Sequence, residues 1–118
     1  MIVVGDPGVG KTALLHRLKT NQYACDHAST IGVVSAKFEM LLQDESHVKL
    51  QLWDTAGQEK FRSITRLFYK DSDAIVVCFS LASRESFSNL TEWLKEIDSH
   101  ADRSHMVKYL VGNCADLK

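Results

Sequence analysis

Short apolar segments recur along the chain and are separated by polar segments of different character. Ile2–Val4 is wholly apolar and is followed by Gly5, and Ala74–Phe79 is a second segment of this kind. Val107–Val111 is a further strand-like segment near the end of the chain. Continuous apolar runs of this length are typical of strands that are buried on both faces. The first two segments therefore predict buried strands, and the third predicts another strand.

Two segments in the middle of the chain alternate between apolar and polar residues, and the turn-like Gln43–Ser46 separates them. The apolar positions are Val34, Ala36, Phe38, Met40 and Leu42 in the first segment and Val48, Leu50 and Leu52 in the second. Strict alternation is typical of a strand with one face towards solvent. The pair therefore predicts an antiparallel hairpin with one solvent-exposed face.

Three segments have the character of helices. Thr12–Lys19 carries leucines spaced for one helix face, and Ser63–Tyr69 is helix-prone. Ser83 is a suitable N-cap for a third helix, whose apolar positions are Phe87, Leu90, Trp93, Leu94 and Ile97. Asn21–Ile31 is polar without a sustained period and predicts a loop. The order β-α-β-β-α-β-α-β predicts an α/β domain with a mostly parallel sheet.

The composition argues against several classes of function, namely nucleic-acid binding, membrane binding and membrane spanning. The 118 residues make one domain or a piece of one, with 14 basic and 15 acidic residues and a formal charge of −1. We expect no nucleic-acid partner and no anionic membrane surface, because no basic stripe is present. The longest apolar runs are about six residues, against roughly 20 for a membrane span. Met1 leads directly into the first predicted strand, so we expect no signal peptide.

The cysteines and histidines are scattered. Cys25, Cys78 and Cys114 are widely spaced, without a C-x-x-C pair, and the five histidines form no metal-ligand grouping with them. We interpret the cysteines as reduced thiols of a cytosolic protein.

Gly5–Thr12 fits the pattern G-x-x-x-x-G-K-[ST] and lies between the first predicted strand and the first predicted helix. Its glycines allow the backbone N–H groups to surround a phosphate, and the helix N-terminus adds a positive dipole end. Lys11 can neutralise the outer phosphates, and the hydroxyl of Thr12 can bind Mg²⁺. The alternative is a glycine turn without a ligand. The residues assigned to nucleotide binding here are Gly8, Val9, Gly10, Lys11, Thr12 and Ala13.

Asp54 lies near the carboxyl end of the second hairpin strand. It has the same parity as the apolar residues of that strand, so it is predicted to face inward. A carboxylate at this edge, where the first strand delivers its loop, can hold Mg²⁺ through water. Gly57 would let a backbone N–H approach a γ-phosphate, and Gln58 could orient the attacking water. The alternative for Gln58 alone is a solvated loop residue.

Lys49–Thr65, which contains W-D-T-A-G-Q-E, resembles the second switch region of the Rab GTPases, a branch of the Ras superfamily, and Ser29–Val33 resembles their first switch. The resemblance implies a P-loop G domain with a mostly parallel sheet and one antiparallel hairpin. It implies GTP and GDP as substrate and product, Mg²⁺ as cofactor and Gln58 as the catalytic residue. It also implies that Thr30 is a second hydroxyl ligand to Mg²⁺.

Asn113–Asp116 follows the last predicted strand and resembles the N-K-x-D signature of the family. A carboxylate at Asp116 suits guanine because this base presents an N–H and an NH₂ side by side, whereas adenine does not. Tyr23 aligns with the family aromatic that stacks on the base. Cys114 stands where the family has a lysine, and the family's later S-A-K-type loop is absent. The alternative is a polar turn at a strand exit.

Trp53 has the parity of the polar residues of its strand, so we expect it on the exposed face, either packed under Phe68 or as a partner-binding anchor. The resemblance implies an exchange factor, a GTPase-activating protein and effectors as partners.

Pro7 departs from the serine or glycine of relatives and imposes one loop conformation. No arginine can be assigned as a finger in cis, so we expect slow hydrolysis without an activating protein. The implied effector surface comprises Ile31, Trp53, Phe61 and Phe68.

The resemblance covers residues 1–118 as one small GTPase domain, which we expect to be incomplete at the carboxyl end and slightly short at the amino end. The final strand and two helices are then missing. The prenylated cysteines of Rab relatives are absent from these residues, so we expect no lipid anchor in this chain and a cytoplasmic location, although family members are peripheral on endomembranes.

Two hypotheses remain after this comparison of motifs. The first is a Rab-like GTP-hydrolysing switch in intracellular vesicle trafficking. The second is a truncated or degenerate, non-catalytic GTPase relative that acts as a protein-interaction module. A different P-loop ATPase is disfavoured by Asp54–Gln58 and by Asp116.

Overall fold

The computed structural model describes residues 1–20, 33–55, 57, 62–101 and 106–117. The strands are β1 (Ile2–Gly5), β2 (Val33–Leu41), β3 (His47–Thr55), β4 (Ala74–Ser80) and β5 (Val107–Asn113). The helices are α1 (Lys11–Thr20), α2 (Arg62–Tyr69), α3 (Arg84–Ser88) and α4 (Leu90–His100), and a 3-10 turn spans Ala115–Leu117. The predicted loop Asn21–Ile31 lies outside the described residues.

The strands form one sheet in the order β2-β3-β1-β4-β5. β1 is parallel to β3 and β4, β4 is parallel to β5, and only the β2–β3 pair is antiparallel. The predicted α/β class, with a mostly parallel sheet and one antiparallel hairpin, is therefore confirmed. The carboxyl ends of the parallel strands lie at one edge of the sheet, which is where such folds place their ligands.

The two faces of the sheet carry separate hydrophobic clusters. Successive residues of β1 point to opposite faces, so Ile2 and Val4 join one cluster and Val3 the other. The smaller cluster contains Val3, Val9 and Cys78 with Leu14 and Leu15 of α1 packed against it. The larger cluster contains Ile2, Val4, Tyr69, Ile75, Val77, Leu90, Trp93 and Ile97.

The third predicted helix is divided in two at Asn89. Ser83 is its N-cap as predicted, because its hydroxyl accepts a hydrogen bond from the backbone N–H of Ser86. The predicted buried face was partly wrong, since Phe87 and Leu94 are exposed. The buried stripe of α4 instead follows positions i, i+3 and i+7, namely Leu90, Trp93 and Ile97.

The hairpin is less buried than its alternation predicted. Met40 and Leu42 at its tip are both 44% exposed, because β1 pairs only with the far end of β3, at Trp53 and Asp54. Trp53 is half-buried, which agrees with the predicted packing under Phe68. Its ring lies 4.9 Å from that of Phe68, centroid to centroid, so α2 covers this end of the strand.

β5 is two residues longer than predicted and includes Asn113, which was expected to follow the strand. In the described part of the chain β5 pairs with β4 alone. None of the described helices is long and apolar enough to cross a membrane.

Candidate nucleotide-binding site

The phosphate loop, Gly5–Thr12, joins the central strand β1 to α1. Its three glycines have backbone φ angles of 145° at Gly5, 79° at Gly8 and 91° at Gly10, a region that disfavours other residues. A Cβ at Gly5 would collide with the carbonyl oxygen of Cys78, and one at Gly10 with the side-chain amide of Asn113. The loop is thus fixed by close packing against the backbone of β4 and against a side chain of β5.

The side chain of Lys11 folds back across the phosphate loop. Its Nζ donates hydrogen bonds to the carbonyl oxygens of Gly5 at 2.8 Å and Asp6 at 2.7 Å, and Lys11 is only 6% exposed. Burial lowers the pKa of Lys11 below its usual 10.5, and the carboxylate of Asp54 opposes this shift most strongly. An ammonium group has three N–H donors, and these two bonds use two of them. Its position therefore places a cation on the loop.

Thr12 and Asp54 meet at the amino end of α1. The hydroxyl of Thr12 donates to Oδ2 of Asp54 at 2.6 Å, and Asp54 is 5% exposed. The hydroxyl of Thr55 donates to the carbonyl of Val3 at 2.6 Å and so fixes the end of β3 against β1. A hydroxyl and a carboxylate oxygen are ligand types that Mg²⁺ accepts beside phosphate oxygens and waters. This pair therefore fits the predicted ion.

Histidine, cysteine, aspartate and glutamate side chains form no metal-binding group of three or more among the described residues. A Mg²⁺ ion that would be held by Thr12, by Asp54 through water and by phosphate oxygens would not need such a group.

Gly57 packs directly on the phosphate loop. A Cβ at this position would collide with backbone atoms of Gly5, Asp6 and Pro7, so only glycine fits. A cavity of about 360 Å³ opens beside the loop, lined by residues 6–9, Gly57 and polar residues at the end of β4 and after it. The backbone of Gly57 is therefore adjacent to the predicted phosphate position.

The segment Asn113–Asp116 also contacts the phosphate loop. Asn113 Nδ2 donates to the carbonyl oxygen of Val9 at 3.0 Å, and the thiol of Cys114 is 3.6 Å from the same oxygen. Cys114 has a φ of 60°, and Asp116 is exposed in the 3-10 turn. The two predicted halves of the site are thus joined directly, although Cys114 replaces the family lysine.

Five of the predicted site residues lie outside the described residues, namely Tyr23, Thr30, Ile31, Gln58 and Phe61. The structure does bring together the phosphate loop, Ala13 at the start of α1, Asp54, Gly57 and Asn113. Trp53 and Phe68 are in ring contact away from this group.

Sequence reasoning missed the side chain of Asp6. Its carboxylate accepts hydrogen bonds from Asn89 Nδ2 at 2.6 Å and from Trp93 Nε1 at 2.8 Å. The only sequence signal was indirect, since a buried tryptophan usually needs an acceptor for its N–H. Nothing in the sequence indicated that Asp6 would supply it.

Cys78 lies under the phosphate loop and is 1% exposed. Burial raises the pKa of its thiol to about 11, partly opposed by the charge of Lys11, whereas the unfolded thiol has a pKa near 9.0. The folded state therefore keeps this proton at pH values where the unfolded state loses it. The resulting stability is present below pH 9 and is lost as the pH rises towards 11.

We therefore expect the difference in unfolding free energy between the wild type and Cys78→Ala to shrink between pH 9 and pH 11. Urea unfolding at several pH values in this range measures it. A difference that stays constant over the range would contradict the proposed thiol environment.

Comparison with known proteins identifies the family. A family model described as the Ras family matches residues 1–118. The chain belongs to the Ras family. It is 44% identical over 117 residues to the Ras-related protein RABD2a of Arabidopsis thaliana, and this alignment covers 99% of the chain and 57% of the relative. It is 45% identical over 118 residues to the GTP-binding protein YPT1 of Saccharomyces cerevisiae, covering 100% of this chain and 56% of that relative.

These relatives place the chain among Rab/Ypt-like small GTPases of the Ras family, as predicted. The Ras-family assignment agrees with the observed five-stranded sheet and with the phosphate loop after β1. The chain spans a little over half the length of the relatives that it matches.

Proposed function

We propose that the chain is a Rab-like molecular switch that binds GTP and GDP with Mg²⁺, hydrolyses GTP and acts in vesicle trafficking. The observation that carries this proposal is the hydrogen bond from Asn113 Nδ2 to the carbonyl of Val9. It joins the segment suited to guanine with the segment suited to phosphate. A nucleotide, whose base and phosphates lie a short distance apart, fits a site made of these two adjoining segments.

The residues of the phosphate loop bind and orient the phosphates in this proposal. Backbone N–H groups of Gly8, Val9 and Gly10 and the amino end of α1 point at the anion. Lys11 neutralises its outer charge, and Thr12 and Asp54 hold the metal site. A Mg²⁺ ion held by Thr12 and, through water, by Asp54 would supply positive charge to offset the negative charge on the phosphates.

Hydrolysis is assigned to residues of the two switch-like segments. We propose that Gln58 orients the attacking water, that Thr30 is the second hydroxyl at the metal and that the backbone N–H of Gly57 contacts the γ-phosphate. Support comes from the motif resemblance and from the packing of Gly57 on the loop. With no arginine assigned in cis, turnover is proposed to be slow until a GTPase-activating protein supplies the missing charge.

Partners are proposed to contact the surface around Trp53 and Phe68. Their rings contact each other and pack against the larger core cluster while remaining half-exposed. Aromatic side chains of this kind commonly contribute most to binding energy at interfaces. The proposed effector surface adds Ile31 and Phe61, and an exchange factor would act on the nucleotide site itself.

Replacing Asp116 with asparagine is expected to change the base preference from guanine to xanthine. Guanine offers two donors to a carboxylate, whereas an amide has one acceptor and one donor and matches the C2 carbonyl of xanthine. We expect GDP affinity to fall on the order of 100-fold and XDP to become the better ligand. Competition of unlabelled GDP and XDP against a fluorescent nucleotide measures both constants.

Asp71→Asn is the matched control, because Asp71 is an exposed carboxylate in the turn before β4. It should bind GDP like the wild type. Equal GDP affinity in Asp116→Asn and the wild type would contradict the assignment of Asp116 to the base.

A protein-interaction module without nucleotide cycling is the second candidate. The observation that favours it is Cys114, whose short side chain replaces the lysine stem expected along the base. A folded wild-type chain that binds no guanine nucleotide at micromolar concentrations would support this candidate and contradict the first.

A further inference from the structure

Asp6 lies in the phosphate loop but points away from it, towards the start of α4. Its two carboxylate oxygens accept from two different donors: Oδ2 from Asn89 Nδ2 at 2.6 Å and Oδ1 from Trp93 Nε1 at 2.8 Å. These donors are 83 and 87 residues away in the chain. One side chain therefore connects the loop after β1 with the start of α4, which is distant in the sequence.

Both donors are fixed by their surroundings. Trp93 is 0% exposed in the larger core cluster, so its indole cannot move without disturbing the packing of the core. Asn89 is the junction of α3 and α4, and it has a helical backbone conformation with no side-chain cap bond to α4. The amide of Asn89 is thus directed to Asp6 and does not cap its own helix. Asp6 is held by rigid partners.

The backbone of Asp6 acts on the phosphate side of the same loop. Its carbonyl oxygen accepts from Lys11 Nζ at 2.7 Å. The residue also precedes Pro7, which restricts its backbone to extended conformations, while Pro7 itself has a fixed φ. Fixing the Asp6 side chain therefore fixes the carbonyl that orients Lys11.

We propose that Asp6 is a positioning residue whose bonds to Asn89 and Trp93 hold the phosphate loop and Lys11 in the nucleotide-binding conformation. The inference rests on the proposed nucleotide binding. A carboxylate next to the loop repels phosphate, so its contribution comes from geometry and not from charge. Preorganisation of this kind lowers the cost of ordering the loop when the nucleotide binds. Its loss should therefore speed nucleotide dissociation.

Four variants separate the hydrogen bonds of Asp6 from its charge. Asp6→Ala removes both acceptors, and we expect GDP to dissociate about tenfold faster or more. Asp6→Asn is expected to stay close to the wild type, because its oxygen can accept from Trp93 and its NH₂ can donate to a flipped Asn89 amide.

The other two variants exchange the polarity of the Asp6–Asn89 pair. Asn89→Asp places two carboxylates at the 2.6 Å contact and should also speed dissociation. The double variant Asp6→Asn with Asn89→Asp restores a donor opposite an acceptor, and its rate should return towards that of the wild type. This rescue keeps the test decisive even where Asp6→Ala fails to fold.

The measurements are the dissociation rate of fluorescent GDP, the melting temperature and the indole N–H resonances of the chain's two tryptophans. The Trp93 resonance should shift upfield in Asp6→Ala and return in the double variant. Ile97→Val, which changes the same core cluster without touching the loop, should lower the melting temperature and leave the dissociation rate unchanged.

Each outcome has a distinct meaning. A wild-type chain that binds no GDP would overturn the proposed function together with this inference. A wild type that binds GDP while Asp6→Ala and Asn89→Asp both dissociate at the wild-type rate would overturn the role of Asp6 alone. A double variant that dissociates faster than Asn89→Asp would also overturn it.

Discussion

Lys11→Ala is expected to reduce the affinity of the chain for GDP on the order of 100-fold, or about 3 kcal/mol. The buried ammonium lies over the phosphate loop, where it bonds to the carbonyls of Gly5 and Asp6. Its removal deletes a charge-assisted bond to phosphate and leaves two loop carbonyls without their donor. Equilibrium titration with a fluorescent GDP analogue measures the loss.

Lys19→Ala is the matched control, because Lys19 is an exposed lysine in the last turn of the same helix. It should leave the affinity unchanged. If both variants bind GDP like the wild type, Lys11 does not contact the phosphates.

Gly5→Ala is expected to destabilise the fold on the order of 4 kcal/mol or more, which is a large share of the total stability of a domain. The φ of 145° is unfavourable for alanine, and the new Cβ would collide with the backbone carbonyl of Cys78. That carbonyl cannot move without separating β1 from β4, which pair at these two residues. Urea unfolding measures the change.

Gly8→Ala is the comparison that isolates the collision from the backbone strain. Gly8 also has a positive φ, but a Cβ there would meet nothing within 4 Å. We expect a loss of about 1 kcal/mol. Equal losses in the two variants would show that strain alone, and not packing against β4, requires glycine in this loop.

Features whose cause is local could be predicted from the sequence. β1 is short and apolar because the centre of the sheet is covered on both sides, and the phosphate loop follows it because its glycines fit only one kind of turn. Asp54 was predicted near the carboxyl end of its strand by parity alone, and the structure has it there, hydrogen-bonded to Thr12.

Features that depend on distant contacts could not be predicted in this way. The exposure of Met40 follows from where β1 begins, because Ile2 already pairs with Trp53 at the far end of β3. This limit is not visible in the alternation of the strand itself. The bonds of Asp6 to Asn89 and Trp93 join residues more than 80 positions apart, so no periodic pattern could indicate them.

The guanine half of the site is intermediate between these cases. The resemblance of Asn113–Asp116 to a family signature predicted its role, and the structure adds that Asn113 bonds to the phosphate loop. The effect of Cys114 depends on contacts with a base and is therefore decided by binding experiments.

The most direct test of the central claim is the nucleotide that the chain selects and converts. Purified chain is incubated with Mg²⁺ and equal concentrations of GTP and ATP and then desalted, and the bound nucleotide is identified by chromatography over time. We predict close to one guanine nucleotide per chain, converted slowly from GTP to GDP, and no adenine nucleotide. A folded chain that retains no nucleotide, or that retains ATP, would contradict the account.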